Sequence, residues 1–432
     1  MKNTTSPWGF IPTLYIAEGF PYIIINVVSV LLYADLKLPN DAITFWTGWL
    51  YLPWILKMFW SPLVDAHSTK RRWLLGAQTV LAALFLAITG VIGLDAFWQA
   101  QANGTQTIFT LTLFGFFFGA FASATLDIAT DGYYLLALTP TDQSRFVGVR
   151  TIFYRLAMIL GSGILISLTG SLAERGFVAK PYNWVCLFGF FGLLFLCFAV
   201  FHAFILPRPQ QDKPADSSTA HAWKEAFGSY FTQQNILYIL LFILVYRFGE
   251  ALLEKTVPLF LLKPVSEGAL GLTMENVGLI KGTLGLGGII AGNLLGGWLL
   301  GKYGFKKCIW PFACALVLPN FFYVYLAAVK PGLTVVAALI TLENFGYGLA
   351  MMALTVFIMY VSQGAYKTSH YAISTGIMAL GMMVPSMLSG KMQMALGYEM
   401  FFWAAALISL CSFAVVPLCF KINVLNEAEK QK

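Results

Sequence analysis

Long apolar runs, each ended by charge, proline or glycine, divide the chain into twelve segments. The first six cover roughly 10–33, 42–63, 73–94, 107–137, 147–172 and 182–206. The second six cover roughly 236–262, 274–300, 307–329, 332–361, 371–395 and 399–421. Most approach the roughly 20 residues that a helix needs to cross a bilayer, so the pattern predicts twelve transmembrane helices. Between the two sets, Leu206–Gln234 contains PRPQQDKPADSSTAHAWKE, a Pro-rich polar stretch of linker composition. The expected organisation is a six-helix bundle over 1–206, a cytoplasmic linker over 207–235 and a second six-helix bundle over 236–432.

Composition strengthens this reading. Of 432 residues, 58% are hydrophobic and 11% are charged, against roughly 25% charged in a soluble domain. The net charge of +7 does not point to nucleic acid, because Lys and Arg gather in short loops rather than on one face or tail. Those loops set the orientation. With both termini inside, Lys70, Arg71, Arg72, Arg145, Lys302, Lys306, Lys307 and Lys367 fall on the cytoplasmic side. The outer side then holds only Lys37, Arg175, Lys180, Lys263 and Lys330. The six cysteines lie in or beside apolar segments without metal-ligand spacing and read as packed thiols. The first segment contains Glu18 and Pro21 and lacks a small-residue cleavage site, so it is expected to remain as the first span.

An internal repeat joins the halves. SPLVDAHSTKR (Ser61–Arg71) follows the second segment and GWLLGKYGFKK (Gly297–Lys307) follows the eighth; they align without a gap. Both resemble the G-x-L-x-D-R-x-G-R-R loop motif of the major facilitator superfamily. The first copy keeps Asp65 and the basic cluster, and the second keeps the glycines and a basic pair. Matching motifs in two six-span halves are how such transporters are built. Asp65, Arg71, Lys302 and Lys306 are the expected gating positions of these loops.

Charge inside a span costs about 2.5–3.5 kcal/mol on insertion scales, so such residues are candidates for function. Lys57, Lys255 and Lys391 lie where a long side chain can snorkel to the interface. Asp127 and Asp131 stand four apart, on one face of the fourth span, where mutual repulsion suits proton coupling; the alternative is structural pairing with Arg155 or with the Arg145/Arg150 region. In YRFGEALLEKTVP, the spacing of Arg247, Glu250 and Glu254 puts all three on one stripe of the seventh span. Glu250 and Glu254 are candidate proton carriers, and Arg247 pairs with Glu250 or meets substrate. Lys281 suits a substrate carboxylate or an ion pair to Glu254 or Glu343. Glu343 and Asn344 suit sugar hydroxyls and amides or helix–helix adhesion. Glu18, beside Gly19 and Pro21, marks a local break that exposes backbone to substrate or a helix kink. Gly288, Gly292 and Gly296 form a ridge for close helix packing. The chain has no G-x-x-x-x-G-K-[ST] phosphate loop, its four His are scattered, and no nucleophile or His/Asp constellation sits near one face, so no cofactor, no metal and no enzyme activity are expected.

Several of these segments resemble the AmpG-type muropeptide permeases and their acetyl-coenzyme A transporter relatives. They are PWILKMFWSPLVD (Pro53–Asp65), LDIATDGYY (Leu126–Tyr134), FYRLAMILGSG (Phe153–Gly163), YRFGEALLEKTVPLFLL (Tyr246–Leu262), ENVGLIKGTLGL (Glu275–Leu286) and TLENFGYGLAMMA (Thr341–Ala353), in family order over most of the chain. The resemblance implies the major facilitator fold and import of GlcNAc-anhydroMurNAc peptides across a bacterial inner membrane, coupled to protons, by a monomer working through alternating access. Such a ligand carries carboxylates for Lys281, Arg247 and Arg155, and hydroxyls and amides for Glu18, Glu343 and Asn344. Import of another sugar, an oligosaccharide or an acyl-coenzyme A is the alternative within this class; a membrane sensor or an embedded acyltransferase is the alternative outside it.

Overall fold

The computed structural model describes residues 6–100, 103–138, 140–210, 212–213, 219–362 and 367–422. Every regular element among them is helical. Ten stretches are long and apolar enough to cross a membrane: Pro7–Asp35, Lys70–Gly93, Gly104–Ala137, Val149–Glu174, Tyr182–Ile205, Ile236–Leu262, Met274–Tyr303, Phe305–Val329, Leu333–Val361 and Ser369–Cys419. Gly397 splits the last into two helices, because its φ of +73° is left-handed backbone that only glycine adopts without strain. The second span runs through Asn40–Gly48, one 3-10 turn and Leu52–His67. Among the described residues this gives twelve helical spans, six before and six after the polar connector. Phe118, Leu135, Ile152, Phe204, Leu237 and Leu294 are all exposed on these helices. An apolar surface of this kind suits a hydrocarbon surrounding.

By proximity the chain falls into two compact units. One comprises residues up to Leu36 together with Leu56–Thr219; the other comprises Lys37–Ile55 and residues from Ala220 on. In the first unit the third span packs against the fourth and sixth, and the first packs against the fifth. Phe85 meets Phe191 and Phe195 across the third–sixth contact. His202 ties three spans together. Its Nδ1 lies 3.0 Å from Gln78 Oε1 and its Nε2 3.0 Å from Thr13 Oγ1. Gln78 Oε1 can only accept, so His202 donates to it through Nδ1–H.

The connector is more ordered than its composition suggests. Asp212 accepts from the backbone N–H groups of Lys70 and Arg71, at 2.6 and 3.1 Å, and so caps the third span. Thr219–Phe231 forms a helix inside the stretch read as linker. The reason is its apolar spacing: Ala226 and Tyr230, four apart, are both buried, and the Tyr230 hydroxyl meets Ser374 Oγ at 2.8 Å.

In the second unit, Lys37–Ile55 is held by side chains of the eleventh and twelfth spans. Asn40 Nδ2 donates to Gln393 Oε1 at 2.7 Å and to the Tyr398 hydroxyl at 2.8 Å. Thr44 Oγ1 accepts from the Gly390 backbone N–H at 3.1 Å. Phe242, Phe305 and Phe357 pack with tilted rings in the core of the seventh, ninth and tenth spans. The eighth span packs on the tenth through the predicted glycine ridge. A Cβ at Gly288 would lie 2.7 Å from the Thr341 carbonyl oxygen, whereas one at Gly287 meets open space. Gly288→Ala is therefore expected to lower the thermal unfolding midpoint of the detergent-purified protein, by an overpacking cost of about 1–3 kcal/mol. Gly287→Ala, one residue away, should leave that midpoint unchanged.

Candidate functional site

Charged side chains converge inside each unit. In the first, the helix from Ile11 stays continuous through Glu18, Gly19 and Pro21, and only then widens into a π turn at Ile24–Val28. No open break exposes backbone at Glu18. Proline lacks the N–H that would bond one turn back, and the wider turn that follows takes up the irregularity. Glu18 itself is buried, 8% exposed.

Around Glu18 stand groups from the second, fourth and fifth spans. Lys57 forms an ion pair with Asp127. Asp131 Oδ1 accepts from Arg150 Nη1 at 3.0 Å and from the Tyr15 hydroxyl at 2.9 Å. Arg150 Nη1 also reaches the Tyr15 hydroxyl at 3.1 Å, and its guanidinium lies over the Tyr134 ring. The two aspartates thus share a face, as their spacing predicts, and each has its own base. Arg150 fills the role that the sequence left open between it and Arg155. Arg155 lies close enough to Tyr154 to act on it electrostatically. Lys57 does not snorkel; its partner is Asp127.

In the second unit the seventh span is not one uninterrupted stripe. Helix Ile236–Val245 stops, Arg247 sits at φ −115° and ψ 16° in the break, and a new helix runs over Phe248–Leu262. Across the interruption Arg247 stays within electrostatic reach of Glu250, and Tyr347 is in reach of Arg247, Glu250 and Glu254 alike. Its guanidinium donates to the Tyr347 hydroxyl and lies 4.8 Å from the centre of that ring. Glu254 accepts from the Tyr51 hydroxyl. Lys255, 1% exposed, donates to the Thr47 carbonyl at 3.2 Å and lies 5.0 Å from the Tyr51 ring centre. It is a buried, bonded cation rather than a snorkelling one. Lys391, by contrast, is exposed.

Glu250 lies within hydrogen-bonding reach of Glu343 and within electrostatic reach of Lys281 and Arg247. Lys281 is within electrostatic reach of Glu250, a partner beyond the Glu254 and Glu343 weighed from the sequence. Lys281 occupies an eight-residue π stretch, Gly278–Gly285, and such stretches gather at functional sites. Glu343 Oε2 accepts from the Tyr323 hydroxyl at 2.7 Å and from Asn344 Nδ2 at 2.9 Å. Asn344 Nδ2 also donates to the Ile340 carbonyl at 2.8 Å, which fixes the amide on its own helix.

The loop candidates are dispersed. Asp65 belongs to a helix but its side chain is outside the described residues, as are those of Arg145 and Lys367. Arg71 Nη2 donates to the Ala203 carbonyl at 2.5 Å. Lys302 lies over the rings of Trp298 and Tyr303 on its own helix. Lys306 opens the next helix, just after Gly304, whose φ of +81° makes the turn. Sequence reading missed Tyr15, Tyr51, Tyr323 and Tyr347 as partners of the charged groups. Two were findable: Tyr15 stands three before Glu18 and Tyr347 four after Glu343, each on its neighbour's helical face.

Residues 13–369 match the family model described as Major Facilitator Superfamily. A putative transporter AmpG 4 of Rickettsia conorii is 23% identical, over 86% of this chain and 87% of its own length. The anhydromuropeptide permease of Escherichia coli is also 23% identical, over 85% of this chain and 70% of its own. Among solved structures, a mutant of the nucleoside transporter NupG superposes with a TM-score of 0.70 at 13% identity, covering 94% of this chain and 98% of that one.

The Tyr51–Glu254 contact gives a direct check on this geometry. Glu254 Oε2 is buried without a donor among the described residues, so the Tyr51 hydroxyl is a main support of that carboxyl. Tyr51→Phe should lower stability by about 1–3 kcal/mol, the cost of stranding a buried acceptor. In a thermal-unfolding double-mutant cycle, that loss should shrink when Glu254→Gln is already present; equal losses in both backgrounds would remove the contact from the account.

Proposed function

This chain belongs to the Major Facilitator Superfamily, and on that basis we propose that it imports cell-wall muropeptides, the GlcNAc-anhydroMurNAc peptides, across the bacterial inner membrane. Import is coupled to protons and proceeds by alternating access in a monomer, with both termini cytoplasmic as the Lys and Arg bias requires. The observation that carries this reading is the concentration of carboxyls and bases inside otherwise apolar spans. Glu18, Asp127, Asp131, Lys57 and Arg150 gather in one half, and Glu250, Glu254, Glu343, Arg247 and Lys281 in the other. Charge at membrane depth is expensive and is retained where it handles ions or polar solutes.

The ligand's chemistry matches these groups. Peptide carboxylates suit Arg247, Lys281 and Arg155, while sugar hydroxyls and amides suit Asn344, Glu18, Glu343 and the tyrosines around them. The names of relatives spanning most of the chain favour muropeptides over other solutes. Proton entry makes accumulation of an anionic solute feasible, because each charge moved inward gains about 2.3 kcal/mol per 100 mV of membrane potential.

Membrane vesicles containing the protein should accumulate labelled GlcNAc-anhydroMurNAc tripeptide when acid outside, and a protonophore should abolish the accumulation. Unlabelled muropeptide should compete, and simple sugars and acyl-coenzyme A should not. Glu254→Gln or Asp127→Asn should abolish net accumulation while at least one of them spares substrate exchange. Accumulation that survives collapse of the gradient would end the coupling reading, and competition by acyl-coenzyme A alone would end the substrate reading.

A further inference from the structure

Each half brings two carboxyls, one from its first and one from its fourth span, within hydrogen-bonding reach of one another. Glu18 of the first span lies at hydrogen-bonding reach of Asp127 of the fourth. Glu250 of the seventh span, the first of its half, lies at hydrogen-bonding reach of Glu343 of the tenth, the fourth of its half. A lysine accompanies each pair from the second span of the same half: Lys57 bonds Asp127, and Lys281 acts electrostatically on Glu250. Helices three ordinals apart have brought the same two functional groups together twice.

An ionised carboxylate only accepts hydrogen bonds, so two carboxyls in hydrogen-bond contact need a proton between them. A second observation locates it. Glu18 and Glu250 are each 8% exposed, and each buries its Oε2 with no donor among the described residues. Their partners are better served. Asp127 has the Lys57 ammonium, and Glu343 has the Tyr323 hydroxyl and the Asn344 amide. A buried carboxylate oxygen without a donor is costly as an anion and acceptable as the protonated acid.

We propose that each six-helix half holds one exchangeable proton in a carboxyl–carboxyl pair, Glu18 with Asp127 and Glu250 with Glu343, so that one chain carries two proton sites. The use of these protons in import rests on the reading above; their presence does not.

The other charged and titratable neighbours explain why the protons are exchangeable. Beside Glu18 are Asp131 and Lys57, with Tyr15 and Tyr154 also in electrostatic reach. Beside Glu250 are Lys281 and Arg247, with Tyr347 and Tyr323 also in reach. In each half a base thus stands near the protonated acid, and an approaching anion that engages that base weakens its hold on the carboxylate. The pairs also differ along their helices. Asp127 lies ten residues before the end of Gly104–Ala137, and Glu343 ten after the start of Leu333–Val361. The two protons are thus held towards opposite ends of their own helices.

The test is infrared difference spectroscopy of the full-length protein in lipid nanodiscs, in light and heavy water at neutral pH, with no solute present. Two deuterium-sensitive bands of protonated carboxyls are expected. Glu18→Gln should delete one, because it removes the acid that carries the proton and leaves Asp127 paired with Lys57; Glu250→Gln should delete the other. Asp127→Asn and Glu343→Gln should each delete the band of their partner, and the conservative Glu18→Asp and Glu250→Asp should keep both bands at shifted frequency. Absence of such bands from the wild-type protein, or their survival in both glutamine variants, overturns the proposal. Bands that behave as expected while muropeptide uptake fails would reject the transport reading alone; missing bands with gradient-driven uptake intact would reject the paired sites alone.

Discussion

Hydrocarbon offers no hydrogen bonds, so every polar group within a span must be answered by another group of the protein or by water. The charged positions of both halves obey that constraint through pairs formed between helices. Lys57 answers Asp127, Arg150 and Tyr15 answer Asp131, and Tyr347 receives Arg247. Even the buried Lys255 uses a main-chain carbonyl and the face of Tyr51. These contacts cross between helices whose remaining surfaces are apolar, so they set helix register as well as neutralising charge.

Register in turn depends on how closely backbones approach. The glycine ridge of the eighth span lets its main chain lie against the tenth, and the tenth carries Glu343, Asn344 and Tyr347. A side chain at Gly288 would push Thr341 away, two residues before Glu343. The π stretch over Gly278–Gly285 in the same eighth span then aims Lys281 towards Glu250. Small residues in that span therefore serve the chemistry indirectly, by bringing bonded helices to contact distance.

The twelve spans were legible because hydrophobic run length is a local property, written directly in the chain. The shared face of Asp127 and Asp131 was legible for the same reason, since helical spacing needs no tertiary knowledge. Pairings were not. Tyr51 and Glu254 are 203 residues apart, and nothing local in either segment names the other. The break at Arg247 was also hidden, because YRFGEALLEK has good helical spacing and its interruption comes from packing. The helix over Thr219–Phe231 escaped notice because Pro and Ser just before it dominate the composition of the connector, while its own apolar positions recur every four residues.

Not every carboxyl within the spans is equally suited to carry a mobile proton. Asp127 and Asp131 each have a base at contact distance. Glu254 has the Tyr51 hydroxyl on one oxygen. Glu18, Glu250 and Glu254 all lack a donor on Oε2 among the described residues, and Glu18 and Glu250 each have another acid within hydrogen-bonding reach. The physical asymmetry moves the emphasis from the aspartates of the fourth span to the glutamates that open each half. Those two are the groups for which binding and releasing a proton changes the local hydrogen bonding most. A solute that engages Lys57 or Lys281 changes the field at that proton without having to touch the acid itself.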